Sequence, residues 1–166
     1  MGGVQTEYAT VPLQEGGREI SIFARLFKPP LAAAEAPGKG WTVVLVHQYS
    51  VLGGCQALLK GTATSLALKG FLSITFDMRG VKRSTGKSFW TGSSEVQDVV
   101  AVCHWAARQY PDHRILLVGS SAGMPACTKY NEVLLLVHVN SNKIFQEIHS
   151  RILFEDILWV TCNSYT

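Results

Sequence analysis

The chain has 166 residues, of which 47% are hydrophobic and 16% charged, a composition that fits one globular domain with a buried core and argues against disorder. The net charge of +3 comes from Lys and Arg scattered along the chain, without the basic cluster that tracks a phosphate backbone, so we predict no nucleic-acid partner. The 4 cysteines lie far apart with no C-x-x-C pair, which indicates neither a zinc site nor a disulfide framework. We predict no metal and no cofactor, and a reducing compartment.

The amino terminus lacks the basic-then-apolar pattern of a secretory signal, and no apolar run approaches the ~20 residues of a membrane span. We therefore predict a cytoplasmic protein without stable membrane insertion. The first six residues match the M-G-x-x-x-[ST] pattern for myristoylation at Gly2. Membrane association through Gly2 is the weaker alternative, because Glu7 follows in place of a basic patch and one myristoyl chain anchors only marginally.

The first third of the chain predicts a hairpin followed by a buried strand. Residues 4–28 alternate polar and apolar around Gly16-Gly17, the pattern of an antiparallel β-hairpin. Residues 31–40 are rich in Ala, Pro and Gly and predict a surface connection. The β-branched run 42–46, which ends at His47, is typical of a strand buried on both faces of a parallel sheet.

Helices and strands then alternate along the chain. Apolar residues at helical spacing over 59–67, followed by the stop signal Lys69-Gly70, predict a helix. The strand 71–77 comes next, and after a polar loop Ser94-x-x-Gln97 can act as the capping box of a second helix. That helix ends before Pro111 and leads to the strand 115–118. This order predicts a doubly wound α/β sheet.

The strand 115–118 runs directly into Gly119-Ser120-Ser121-Ala122-Gly123, a G-x-S-x-G sequence. A serine on the sharp turn between a strand and a helix is held in a strained backbone conformation that exposes its hydroxyl, and the flanking Gly119 and Gly123 leave room for that turn. Ser121 is therefore the candidate nucleophile.

Four motifs in this order resemble the α/β-hydrolase superfamily, in particular its dienelactone-hydrolase-like and serine-aminopeptidase-like (peptidase S33-like) members. The resemblance covers residues 5–123. In this group the first buried strand looks like V-V-L-V-H-P-x-x-x-x-G-G, which is similar to residues 43–54. A second strand followed by D-x-R-G-x-G-x-S-x-G resembles residues 77–86, and a helix and the elbow complete the set. The resemblance implies a three-layer α/β/α sandwich, a mostly parallel sheet with an antiparallel hairpin at its amino terminus.

The resemblance also implies an activity, the hydrolysis of an ester, thioester or amide bond in a small acyl substrate. Ser121 would attack the carbonyl carbon, and two backbone amides would stabilise the oxyanion. One amide would belong to Ala122, and the other to Gln48 or Tyr49 in the loop after the first buried strand.

The same resemblance implies that His47, Asp77 and Arg79 shape the loops around the site, with Arg79 also a candidate to line the substrate cleft. Two residues depart from the pattern. Gln48 stands where the group has Pro or Gly, and Lys82 stands where it has the second Gly of the R-G-x-G loop. A positive φ at Lys82 would cost about 1 kcal/mol.

The resemblance ends at Gly123. We interpret residues 1–123 as the amino-terminal part of a hydrolase domain and residues 124–166 as a divergent tail that is not a separate domain, the end of the chain being truncated or alternatively spliced. The triad order requires an acid and then a histidine after the serine.

The tail offers His149 with Glu155 or Asp156 as a rebuilt base and acid, but its helical apolar spacing favours a solvated helix face, so acid and base stay unassigned. His138, in an apolar run, is predicted to be structural. We predict that His104 and His113 lie at the surface.

Two further hypotheses stay open. A chain that keeps the elbow without an acid and a base would be a catalytically silent binding or regulatory module. A chain that lacks part of the sheet would expose an unpaired edge, which predicts either an unstable fold or a homo-oligomer formed through that edge.

Overall fold

The computed structural model describes residues 3–33, 36–47, 54–88 and 93–120, together with the backbone of 134–138. The helices and strands, in chain order, are β1 Gln5–Glu15, β2 Arg18–Lys28, β3 Trp41–Val46, α1 Lys60–Leu68, β4 Leu72–Phe76, α2 Ser93–Gln109, β5 Arg114–Ser120 and β6 Leu134–His138. Across these described ranges the strands form one sheet in the order β1-β2-β4-β3-β5-β6.

The predicted hairpin is formed by β1 and β2, which pair over their whole length from Gln5 with Lys28 to Glu15 with Arg18. The turn consists of Gly16 and Gly17, whose φ angles of 56° and 76° are those of a two-residue turn that side chains disfavour. β2 pairs antiparallel with β4, whereas β3 runs parallel to both β4 and β5, and β5 runs parallel to β6. The prediction of a mostly parallel sheet with an antiparallel hairpin is confirmed.

The sheet carries a helix on each face, which gives the three predicted layers. Alternate residues of β3 enter different clusters: Val44 and Val46 pack on the α2 side, whereas Val43 and Leu45 pack on the α1 side. All four are buried, as the continuous apolar run predicts. The crossover helices that cover both faces are what allow a parallel strand to bury every side chain.

α1 ends where the sequence predicts. Gly70 has a φ of 90°, its N–H donates to the carbonyl of Ala67, and the N–H of Phe71 donates to the carbonyl of Leu66. These two bonds form a Schellman motif, in which a glycine takes the left-handed conformation after the last turn of a helix.

α2 differs from the prediction at its start. Ser93 already belongs to the helix, so Ser94 lies inside the first turn and is not the N-cap residue. Gln97, the expected partner of that cap, accepts a hydrogen bond from the Arg79 guanidinium through Oε1 at 3.4 Å. The Gln97 side chain therefore makes a tertiary contact with Arg79 instead of the capping hydrogen bond that the local sequence pattern predicts.

The segment beyond the elbow contributes β6, which pairs with β5 in the same sheet. The predicted domain boundary at residue 123 and the tail residues His149, Glu155 and Asp156 lie outside the described residues. In the part of the chain that is described, no helix is long and apolar enough to cross a membrane.

Candidate active site

The two loops expected to form the site leave the sheet side by side. β3 and β5 are parallel neighbours, with Val46 opposite Gly119. The loop after β3 and the G-x-S-x-G sequence, whose first two residues end β5, therefore lie at the same end of the sheet, which we call its carboxyl end. Ligands of open α/β sheets bind outside this end. Five residues expected to form the site lie outside the described residues, and their roles stay predictions. They are the nucleophile Ser121, the oxyanion donors Ala122, Gln48 and Tyr49, and the elbow glycine Gly123.

His47 is fully buried at the end of β3. Its Nε2 atom accepts a hydrogen bond from the backbone N–H of Met78 at 3.2 Å. A ring nitrogen that accepts a bond has no proton, so the neutral ring carries its proton on Nδ1. This contact joins the start of the loop after β3 to the end of β4. Because its lone pair is engaged inside the protein, Nε2 of His47 is poorly placed to act as a general base.

Asp77 follows β4 and is bound by Gln56, a residue to which no sequence motif points. The backbone N–H of Gln56 donates to Asp77 Oδ1 at 2.9 Å, and Gln56 Nε2 donates to Asp77 Oδ2 at 2.7 Å. Thr75 Oγ1 donates to Gln56 Oε1 at 3.1 Å. Gln56 and Asp77 are each 3% exposed, so these hydrogen bonds operate away from water, where they are strong.

The loop after β4 is also bonded to the hairpin. Ser84 Oγ donates to the carbonyl of Asp77 at 2.5 Å and accepts the N–H of Phe23 at 2.8 Å. Thr85 Oγ1 accepts the N–H of Ser21 at 2.8 Å, and the N–H of Thr85 donates to the carbonyl of Ser21 at 2.9 Å. The serine of the D-x-R-G-x-G-x-S-x-G pattern thus ties two backbone segments together.

Arg79 is fully buried and joins three elements. Its Nε donates to Asp98 Oδ1 at 2.9 Å, its backbone N–H donates to Asp98 Oδ2 at 2.8 Å, and one terminal nitrogen donates to Glu15 Oε1 at 2.6 Å. Asp98 lies on α2 and Glu15 at the end of β1, so the guanidinium connects helix, loop and hairpin. Its donors are taken up by protein acceptors rather than directed toward a cleft.

Burial has opposite effects on the two members of this pair. Desolvation raises the pKa of Asp98 to about 6, against the hydrogen bonds from Arg79, which lower it, and the nearby Glu95 carboxyl adds to the increase. For Arg79, desolvation lowers the pKa, but hydrogen bonds to Asp98 and Glu15 outweigh it and raise the pKa overall. The guanidinium therefore stays charged.

Lys82 adopts a positive φ of 48°. This conformation is expected at the position where the hydrolase pattern has a glycine. Gly80, the preceding glycine of the same loop, has a φ of 70°. Both bends lie in a chain segment that turns back on itself, with Gly80 N–H bonded to the carbonyl of Thr85 at 3.0 Å. The lysine therefore carries a local strain that a glycine would not.

The remaining histidines of the described residues lie in different places. His104 is on α2 and exposed. His113, predicted at the surface, is half-buried before β5, and its Nδ1 lies in hydrogen-bonding distance, 3.0 Å, of Thr42 Oγ1, at the amino end of the sheet. His138 ends β6, and its backbone lies opposite Ser120. Within the described ranges no group of three or more His, Cys, Asp or Glu is placed to hold a metal ion.

Solved structures of low sequence identity share the fold. An α/β serine hydrolase homologue from Coxiella burnetii superposes with a TM-score of 0.66 at 19% identity, over 91% of this chain and 71% of that one. A serine hydrolase without a lid from Xanthomonas campestris gives 0.60 at 18% identity, over 96% and 85%. An esterase from Pyrococcus furiosus gives 0.59 at 20% identity, over 78% of this chain and 50% of that one. These similarities establish the fold alone.

Sequence comparison identifies the family. No curated protein matches the chain significantly. The sequence model of the X-Pro dipeptidyl-peptidase (S15) family matches residues 16–128, more than half of the chain. This range begins at the hairpin turn and ends just past the G-x-S-x-G sequence, so it includes β3, the loop after β4 and the strand that precedes Ser121. The chain belongs to the X-Pro dipeptidyl-peptidase (S15) family and has an α/β serine-hydrolase fold.

Proposed function

We propose that the chain acts as a serine hydrolase on an ester, thioester or amide bond, with Ser121 as its nucleophile. The observation that carries the proposal is the register of β3 and β5, in which Val46 faces Gly119. This register brings the loop after β3 and the nucleophile sequence to one end of the sheet. A nucleophile and an oxyanion donor from these two loops are what acyl transfer requires.

In the proposed reaction the Ser121 hydroxyl attacks the substrate carbonyl carbon while a base takes its proton. The negative charge on the carbonyl oxygen is stabilised by backbone N–H groups of Ala122 and of Gln48 or Tyr49. Collapse of this intermediate expels the leaving group, which receives the proton from the base, and leaves an acyl-enzyme. Water then attacks the acyl carbon, releases the acid and restores the hydroxyl.

The register also suggests where to look for the base. The backbone of His138 lies at the carboxyl end of the sheet. It pairs with Ser120, the residue that directly precedes Ser121. The ring nitrogen Nε2 of His47 already accepts a bond from Met78, and His113 lies at the other end of the sheet. Among the histidines that the structure describes, His138 is therefore the first candidate.

The family and the structural neighbours name two substrate classes to compare. The family is that of X-Pro dipeptidyl-peptidases, which directs attention to an amide bond that follows proline. One neighbour is an esterase. Hydrolysis of an Ala-Pro p-nitroanilide and of p-nitrophenyl acetate, measured side by side, separates an X-Pro peptidase from an esterase.

The nucleophile is tested with a fluorophosphonate probe, which reacts with activated serines, followed by mapping of the adduct by mass spectrometry. We expect labelling at Ser121 that is lost in Ser121→Ala and kept in Ser120→Ala, a matched control one residue away. Loss of labelling in His138→Ala, with circular dichroism unchanged, would assign the base.

A folded wild-type chain that takes no label would overturn the proposed activity and favour the silent binding or regulatory module. Labelling that survives in Ser121→Ala would show that another group carries the reactivity.

A further inference from the structure

The two ends of segment 48–53 are fixed to two successive residues. Before the segment, His47 Nε2 accepts the N–H of Met78 at 3.2 Å. After it, Gln56 donates from its backbone N–H and from its side chain to the two oxygens of Asp77, at 2.9 and 2.7 Å. Asp77 and Met78 directly follow β4, so the end of this strand holds both ends of the loop after β3.

Three residues fix the orientation of the Gln56 amide. Its Oε1 accepts from Thr75 Oγ1 at 3.1 Å, and its Nε2 lies 3.4 Å from the carbonyl of Phe23 in addition to its bond with Asp77. Thr75 is fully buried and Gln56 is 3% exposed. A rotated amide would place its carbonyl oxygen against the Asp77 carboxylate, where two acceptors repel each other, so the carboxylate selects the observed orientation.

Burying a carboxylate and an amide in the core costs more free energy than burying apolar side chains of the same size. Removing a charge and an amide from water costs free energy that hydrogen bonds only offset, and apolar side chains of similar size often stabilise a fold as well or better. The benefit of the polar pair is a defined geometry. Here that geometry applies to the attachment point of one loop.

We infer that Gln56 is a positioning residue for the hydrolytic reaction, which acts by holding the loop after β3 through Asp77. The inference rests on the proposed function, because that loop contains Gln48 and Tyr49, the predicted second source of an oxyanion amide. Such a donor acts only within a narrow distance of the oxyanion, and a displacement of about 1 Å can slow a reaction about a hundredfold. Gln56 itself need not touch the substrate.

The test compares the rate of fluorophosphonate labelling at Ser121 in three variants. Gln56→Met keeps the length and volume of the side chain and removes its hydrogen bonds. Thr75→Val removes only the donor that orients the amide. Thr42→Val is the matched control, since it removes a partly buried hydrogen bond with His113 at the amino end of β3, far from the site.

We expect Gln56→Met to slow labelling at least about tenfold and Thr75→Val to slow it severalfold, whereas Thr42→Val stays within about twofold of the wild type despite a lower melting temperature. Hydrogen exchange provides a readout that does not depend on reactivity. Amides of segment 48–53 are expected to exchange faster in Gln56→Met and unchanged in Thr42→Val.

The possible outcomes distinguish a failure of the positioning role of Gln56 from a failure of the proposed hydrolase activity. Labelling of Gln56→Met at the wild-type rate, or an equal loss in Thr42→Val, overturns the inference and leaves the proposed function intact. If Gln56→Met does not fold, Thr75→Val carries the test, and an unchanged rate in that variant overturns the inference. A folded wild-type chain that takes no label overturns the proposed function, and this inference with it.

Discussion

The two ends of the sheet differ in the kinds of residue that are buried there. At the carboxyl end lie all the fully or nearly buried acidic and cationic side chains of the described residues, Asp77, Arg79, Glu95 and Asp98. At the amino end a glycine packs directly against the backbone. Gly38 is pressed so closely against the backbone before β4 that an added Cβ would lie 2.4 Å from the amide nitrogen of Phe71.

This difference corresponds to two requirements of the fold, stability at one end and a defined loop geometry at the other. Close apolar packing gives stability at low cost, and it suffices where the chain only has to turn from a helix into a strand. Buried charges cost desolvation, and they are kept where several loops must have one fixed arrangement. The carboxyl end is where the predicted site lies, so the costly interactions coincide with the region that needs defined geometry.

The largest expected effect is at Arg79. Replacement by Met leaves Asp98 buried without its cation and Glu15 without its partner, so we expect Arg79→Met to lower the free energy of unfolding by about 3–5 kcal/mol. Urea unfolding followed by circular dichroism measures this loss. Arg108→Met, at an exposed position of the same helix as Asp98, is the control and is expected to change stability by less than about 0.5 kcal/mol. A similar loss in both variants would show that the buried pair has no special weight.

The second prediction concerns pH. The pKa of Asp98 is raised from 3.8 to about 6 in the folded state, so between these values the folded chain holds a proton that the unfolded chain has released. The stabilisation from Asp98 is therefore complete below about pH 4 and is lost as the pH rises through about 6, a change of about 3 kcal/mol. Asp98→Asn removes this titration. We expect the stability of the wild type relative to Asp98→Asn to fall between pH 4 and pH 7, and a flat difference would contradict the prediction.

A third test addresses the amino end. Gly38→Ala forces a methyl group against the backbone of Phe71, so we expect it to cost about 1–3 kcal/mol. Gly61→Ala is its matched control, because Gly61 lies exposed in α1 with nothing within 4 Å of an added Cβ. That change is expected to stabilise the chain by up to about 1 kcal/mol, as alanine favours a helix over glycine. Thermal unfolding of the two variants is expected to show opposite shifts, and a Gly38→Ala variant at least as stable as the wild type would refute the close packing at Gly38.

The smallest effect is expected at Lys82. Its φ of 48° favours glycine, so Lys82→Gly should raise stability by about 0.5 kcal/mol as relief of strain outweighs the added freedom of the unfolded chain. Lys87→Gly, in the same loop without a positive φ, is expected to lower stability slightly. Paired melting curves measure both changes. A Lys82→Gly variant less stable than the wild type would mean that the lysine side chain contributes more than the backbone strain costs.

The sequence predicted correctly the turns, strands and helix ends that depend on residues close together in the chain. The Gly16-Gly17 turn, the β3 strand and the helix stop at Gly70 each depend on short-range chemistry, namely left-handed φ angles and the period of apolar residues. These features are sufficient for the order of strands and helices. The resemblance to hydrolases then indicated how the elements assemble.

What the sequence could not predict depends on contacts between distant segments. Gln56 has no local signal, since its partner Asp77 lies 21 residues away and a lone glutamine is usually exposed. Gln97 matched a capping box, but the buried guanidinium of Arg79 competes for its side chain. His113 looked like a surface residue because nothing in the sequence indicates that Thr42, 71 residues earlier, lies beside it.

The attachment of the loop after β4 to the hairpin has a consequence for the continuity of the sheet. Only residues 24–27 of β2 pair with β4, and the amides of Ser21 and Phe23 are bonded instead to the hydroxyls of Thr85 and Ser84. Two side chains therefore satisfy amides of β2 that no neighbouring strand pairs. The loop after β4 thus continues the hydrogen bonding of the sheet past the end of that strand, and a chain without the two hydroxyls would leave both amides unpaired, one of them buried.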